Sequence, residues 1–165
     1  LGIIGRGCIG NEVARLAQAV GMRVLFAEHQ HATTIREGYT AFDEVLNQAD
    51  VISLHCPLTP QTEQLINAKT LALMKPNACL INTGRGGLIN EADLLQALQS
   101  GKLAGAALDV LVKEPPASDD ALWLAAKTQP NLLITPHVAW ASDSALTTLV
   151  NKVAQNIEEF VLTGK

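Results

Sequence analysis

"LGIIGRGCIG", residues 1–10, decides how this chain reads. Its first half is an apolar run, and its second half sets Gly5, Gly7 and Gly10 in the spacing G-x-G-x-x-G. Beyond it, Val13, Leu16, Ala17 and Val20 recur at helical spacing. The motif therefore falls where a buried strand turns into a helix. The first glycine permits a tight turn, the second lets a ligand approach the backbone, and the third lets the helix pack close to the strand. The first N–H groups of a helix have no partner within it, so this turn can meet the charge of a phosphate. Cys8 and Ile9 can each offer a backbone N–H there, whatever their side chains do. Strand, glycine turn and helix in this order are the mark of a dinucleotide site.

The pattern continues outward. Apolar runs at 1–5, 23–27, 51–55, 78–82, 104–109 and 132–135 read as strands, rich in Val, Ile and Leu without polar alternation. Such strands suit a parallel sheet covered on both faces. Helical patterns lie between them. Thr59 followed by Pro60 reads as a helix start. Asn90 with Asp93 resembles a capping box ahead of Leu94, Leu95 and Leu98, and Gly101 closes that helix. Ser142 caps a last helix that carries Leu146, Leu149, Val150, Val153 and Ile157. Strand alternating with helix predicts a doubly wound α/β domain, a three-layer Rossmann fold spanning 1–165. One long irregular stretch remains, 111–131. Within it Leu122 to Ala126 is too apolar for a free loop, so either a partner subunit covers it or it folds back on its own core.

Composition excludes several classes. The chain has 165 residues, 48% hydrophobic and 17% charged, enough for one domain with a real core. A net charge of −4 without blocks of like charge argues against nucleic acid or a membrane surface as a partner. No apolar run approaches the ~18 residues of a membrane span. Cys8, Cys56 and Cys79 are odd in number and widely spaced, which fits reduced thiols in a cytoplasmic protein and no metal site. The chain starts at Leu1, in what already reads as a strand, and is expected to be part of a longer one.

Ligands of such sheets bind beyond the carboxyl ends of the strands. Glu28 lies at the second strand end, 18 residues past Gly10, where a carboxylate can accept from both hydroxyls of a ribose. A 2′-phosphate would meet a like charge there, so NAD is expected over NADP, although His29, His31 and Arg36 could offset that repulsion. Three more residues follow strand ends: Arg85, Glu114 and His137. Arg85 can hold a carboxylate with two parallel hydrogen bonds, and the glycines around it leave room for a ligand to approach. His137 can exchange a proton near neutrality, and Glu114 beside it would favour the charged ring. Singly, each has a bland alternative: a loop histidine, a solvated glutamate, an arginine bound to a carbonyl. Together at one sheet edge they favour chemistry. His55, with Cys56 and Pro57, reads as a turn lining the adenine side. A methyltransferase would use a similar glycine turn, but would not need the set Arg85, Glu114 and His137.

With these motifs in order, the chain resembles the NAD-binding domain of the D-isomer-specific 2-hydroxyacid dehydrogenases over nearly its whole length. "LGIIGRGCIG", "LHCPLTPQT", "MKPNACLINTGRGGLINEADLLQAL", "GAALDVLVKEPP" and "NLLITPHVAWAS" carry the resemblance. It implies hydride transfer between NAD(H) and a small 2-keto or D-2-hydroxy acid, with Arg85, Glu114 and His137 as the catalytic set. It also implies that Cys8 and Ile9 touch the pyrophosphate and Glu28 the adenine ribose. Thr83, Gly84 and Arg85 would line the nicotinamide ribose side, with Asp109 holding the carboxamide. "VLFAEH" and "TPHVAWAS" look most like the glycerate dehydrogenase (hydroxypyruvate reductase) branch, with glyoxylate a further candidate substrate. Many members carry a Gly-Gly or Gly-Ser pair where this chain has Ala139 and Trp140, which bears on specificity. Relatives pair through this domain, so a homodimer is expected. A non-catalytic NAD-sensing module of corepressor type shares these motifs and stands as the alternative.

Overall fold

The computed structural model describes residues 1–164. Six parallel strands form one sheet: β1 (Gly2–Ile4), β2 (Leu25–Ala27), β3 (Val51–Leu54), β4 (Cys79–Asn82), β5 (Gly105–Leu108) and β6 (Leu132–Ile134). Their order is β2-β1-β3-β4-β5-β6, so the winding reverses beside β1 and then runs outward one strand at a time. All six strands lie where the apolar runs predict them, each shorter by one or two residues. The helices are α1 (Cys8–Ala19), α2 (Phe42–Gln48), α3 (Ala68–Leu73), α4 (Glu91–Gln99), α5 (Ala121–Ala126) and α6 (Asp143–Thr163).

The core follows from the strand composition. Ile52, Leu54 and Leu80 are fully buried and pack with Val45 and Leu46 of α2, Leu71 of α3 and Leu94 of α4. The sheet therefore buries apolar side chains under helices, as uninterrupted Val/Ile/Leu runs require. α2 has only seven residues, too few for a strong periodic signal, yet Phe42, Val45 and Leu46 form its buried stripe.

Three expectations need correction. Thr59-Pro60 does not start a helix. Thr62 Oγ accepts from the Thr59 N–H at 2.8 Å and donates to the Pro57 carbonyl at 2.7 Å, which closes a local turn. Gln64 and Ile66 then donate to Gly87 and Leu88, so this stretch is drawn out against its neighbour until Asn67 caps α3. The Asn90–Asp93 box is only half formed. Asn90 accepts from the Asp93 N–H, while the Asp93 carboxylate accepts from the Ala68 N–H at 2.7 Å and so serves the start of α3. Finally, 111–131 is not irregular throughout. Asp120 caps α5 by accepting from the Trp123 N–H at 2.8 Å. Leu122 is buried, and Ala125 and Ala126 pack against the same core. The apolar run thus folds back on its own chain.

Candidate active site

The glycine turn has the properties a diphosphate requires. Gly5 has φ +105°, and a Cβ there would lie 2.5 Å from the backbone of His55 and Cys56. A Cβ at Gly10 would collide with the Gly5 carbonyl, so helix and strand touch backbone to backbone. Around Gly7 there is open space within 4 Å. Gly7 is also the N-cap of α1, makes no side-chain cap bond, and no acidic residue follows in the first turn. The first N–H groups of the helix, at Cys8 and Ile9, are thus left for an external anion, and both residues are exposed. These residues fit the pyrophosphate of a dinucleotide.

Beyond Gly5 lies a pocket of about 180 Å³ whose walls include Glu28, Arg36, Tyr39 and Cys56. Cys56 is half-buried in it, and burial pushes its thiol up. His55 bonds through Nε2 to Ser53 Oγ at 2.9 Å, and burial pushes its imidazole down. Pro57 is exposed at the rim of the same turn. Glu28 stands at the expected strand end, but its carboxylate is already occupied. Oε1 accepts from the His29 N–H at 2.8 Å and from Arg36 Nη2 at 2.5 Å. Oε2 accepts from the Arg36 N–H at 3.2 Å and Arg36 Nε at 2.7 Å. This fork, before the other influences on it, holds the carboxyl down at about 2.

The chemical residues lie on adjacent strands. Arg85 follows β4, Glu114 follows β5 and His137 follows β6, all at carboxyl ends. Arg85 is exposed, with Nη1 donating to the Gly84 carbonyl at 2.7 Å. The residue that shapes its loop is Asn82, fully buried. Its Oδ1 accepts from the Gly84 N–H at 3.0 Å and its Nδ2 donates to the Arg85 carbonyl at 2.9 Å. Packing alone already requires glycine at two of the flanking positions. A Cβ on Gly86 would collide with the Leu111 carbonyl and the Val112 nitrogen, and one on Gly87 would come within 2.9 Å of Leu58. Thr83 is exposed at the mouth of this loop.

His137 Nδ1 and Glu114 Oε2 are 2.6 Å apart, with 44% and 37% of their side chains exposed. The other Glu114 oxygen accepts from the Leu111 N–H at 2.8 Å. The His137 contact, then that N–H, hold the Glu114 carboxyl below the usual carboxylate range. The pair lies on a groove of about 590 Å³ that Pro116, Trp123 and Ile134 also line. With Nδ1 engaged, Nε2 is left to face a reacting group.

Asp109 fixes the backbone that carries His137. It accepts from Thr135 Oγ at 2.5 Å and the Val138 N–H at 3.0 Å through Oδ1, and from the Ala139 N–H at 2.8 Å through Oδ2. Burial pushes its carboxyl up, but these three bonds outweigh burial and the net direction is down. Trp140 Nε1 donates to the His137 carbonyl at 2.8 Å. His137 itself has φ +54°, an uncommon conformation for a side-chain-bearing residue, and these contacts on both sides hold it there. Sequence reasoning missed Asn82, Arg36 as the fork on Glu28, and the indole bond of Trp140. Among the described residues no group of three His, Cys, Asp or Glu side chains gathers as a metal site, and no helix is long and apolar enough to cross a membrane.

Comparison with known proteins agrees with this geometry. Residues 1–139 match the model of the D-isomer specific 2-hydroxyacid dehydrogenase NAD-binding domain. A Haemophilus influenzae protein, named provisionally as a 2-hydroxyacid dehydrogenase, is 69% identical over 98% of this chain and 51% of its own length. Glycerate dehydrogenase of Methylorubrum extorquens is 47% identical over 98% of the chain and 49% of its own length. The NAD-complexed D-isomer specific 2-hydroxyacid dehydrogenase of Lactobacillus delbrueckii superposes with a TM-score of 0.88 at 35% identity, over 99% of this chain and 53% of that one. The chain thus spans about half the length of the relatives it matches. It belongs to the family of NAD-binding domains of the D-isomer specific 2-hydroxyacid dehydrogenases.

Proposed function

We propose that this chain is the cofactor domain of an NAD-dependent enzyme that interconverts a small 2-keto acid and its D-2-hydroxy acid, with hydroxypyruvate and glycerate as the favoured pair. The observation that carries the chemistry is the 2.6 Å contact between His137 Nδ1 and Glu114 Oε2, which leaves Nε2 open at a strand-end edge. In reduction, His137 gives its Nε2 proton to the keto oxygen, and in oxidation it takes that proton back. Glu114 holds the ring at Nδ1, so that Nε2 faces the substrate. Arg85, one strand away, holds the substrate carboxylate with a two-pronged fork. NADH, when bound, supplies the hydride. Asp109 and Asn82 position the loops that bear His137 and Arg85.

The 47% identity to a glycerate dehydrogenase supports the substrate class. The free thiols of Cys8, Cys56 and Cys79 support a cytoplasmic setting. A homodimer is supported by exposed Leu149, Val150, Val153, Ile157 and Phe160 along α6. Calorimetric titration of the chain with NADH tests the reading, with light scattering on the same sample. Saturable one-to-one binding to a particle of twice the chain mass is expected. No binding would reject the cofactor assignment, and a monomer mass at micromolar concentrations would reject the dimer.

A further inference from the structure

The pocket past Gly5 is built differently from a site in which a carboxylate grips a ribose. Glu28 has four acceptor positions, and all four are filled from within the chain by the His29 N–H, the Arg36 N–H and two guanidinium N–H groups of Arg36. Only 2% of the Glu28 side chain is exposed, against 54% for Arg36. A ribose hydroxyl can reach Glu28 only by breaking one of these charge-assisted bonds. Arg36, in contrast, has three guanidinium N–H groups left after serving Glu28.

Arg36 is also fixed from its other side. Its guanidinium lies 4.2 Å from the centre of the Tyr39 ring. Arg6, from the glycine turn, lies 5.2 Å from the same ring and 4.5 Å from that of Phe26. Arg6 Nη1 donates to the Gly38 carbonyl at 3.4 Å, in the loop that carries Arg36. Two guanidinium groups thus stand on one tyrosine at the wall of one pocket. The full charges lining that pocket are Arg6, Arg36 and Glu28, a local sum of +1.

We propose that Arg36, with Arg6 beside it, and not Glu28, meets the 2′ substituent of the adenosine ribose, so that the chain takes NADPH as well as NADH. Glu28 is then a positioning residue: it orients the guanidinium fork and its own charge is spent on doing so. A 2′-phosphate placed there gains charge-assisted donors, while the carboxylate that would repel it is already neutralised. A 2′-hydroxyl can still accept from the same donors, so NADH remains a ligand. The inference rests on the dinucleotide reading above.

The test is a calorimetric titration of the chain with NADH and with NADPH at low and at moderate salt. Dissociation constants within about tenfold of each other are expected, with NADPH the more salt-sensitive. Arg36→Ala should weaken NADPH by about tenfold or more and NADH by clearly less, because a hydroxyl loses a weaker bond than a phosphate does. Because Arg36→Ala strands a buried carboxylate, the double variant Glu28→Gln with Arg36→Ala provides the same comparison without that charge. Binding of NADH with exclusion of NADPH by more than about 100-fold would overturn the inference and leave the dinucleotide reading intact. Equal loss of both ligands in the double variant would also overturn it. Binding of neither by the unmodified chain would take down both.

Discussion

Glu28 and Glu114 lie just past the ends of β2 and β5, and each holds a basic side chain at 2.5–2.6 Å. Their surroundings separate them. Glu28 is buried, and every acceptor position it has is used. Glu114 is open to solvent, spends one oxygen on a backbone N–H and the other on a ring whose second nitrogen remains available. A saturated carboxylate holds something still. A carboxylate with a titratable partner can pass a preference on to a proton. The same residue type just past a strand end is thus sealed in one case and left open to a ligand in the other.

The comparison can be broken most sharply at His137. On the proposed mechanism, His137→Gln should lower the rate of keto-acid reduction by about 10³-fold while leaving NADH affinity nearly intact, because there the ring serves the substrate's proton and not the cofactor. Stopped-flow rates alongside cofactor titration decide it, and a matching loss of cofactor affinity would mean that the ring organises the pocket instead.

Glu114→Gln should cost about tenfold in rate at neutral pH, because a neutral amide holds the His137 ring at Nδ1 less firmly than a carboxylate does. An unchanged rate in the variant would show that the ring keeps its place without Glu114.

The smallest effect belongs to Glu28. Its carboxyl is depressed from the usual 4.5 to about 2, so its stabilising contribution is present above 4.5 and disappears as pH falls toward 2. Urea midpoints should drop across that window in the unmodified chain and drop visibly less in Glu28→Gln, which has no such proton to bind. Parallel acid profiles for the two would show that the fork contributes nothing to stability.

Much of this was legible beforehand because it is local. A strand buried on both faces must be apolar, so six runs announced six strands, and glycines between strand and helix announced the phosphate turn. Arg85, Glu114 and His137 could be read because each falls within five residues of the end of such a run. What could not be read depends on neighbours distant in sequence. Gly86 is small because the backbone of Leu111 and Val112 passes over it, a contact that exists only once β5 lies beside β4. Asn82 reads only as the polar last residue of a strand, yet it is fully buried and brackets the Arg85 loop. Asp93 caps a helix 25 residues earlier in the chain. Helices α2 and α5, of seven and six residues, are too short for periodicity to show; Asp120 caps α5, while Ala41 at the start of α2 makes no side-chain cap bond.

α6 runs through 21 residues and buries none of them. At 1.5 Å per residue that is a rod of roughly 30 Å whose apolar stripe gains nothing from the sheet. A helix without a packed face depends on its own propensity, which is marginal at about this length in water. Amide hydrogens along α6 should therefore exchange with solvent through local fraying, while those of β1, β3 and β4 wait for the whole sheet to open. On that clock the chain has two stabilities, separated by most of the ~5–15 kcal/mol that holds a domain together. Whatever covers the stripe would be recorded first as protection appearing in α6 while the sheet's own exchange stays unchanged.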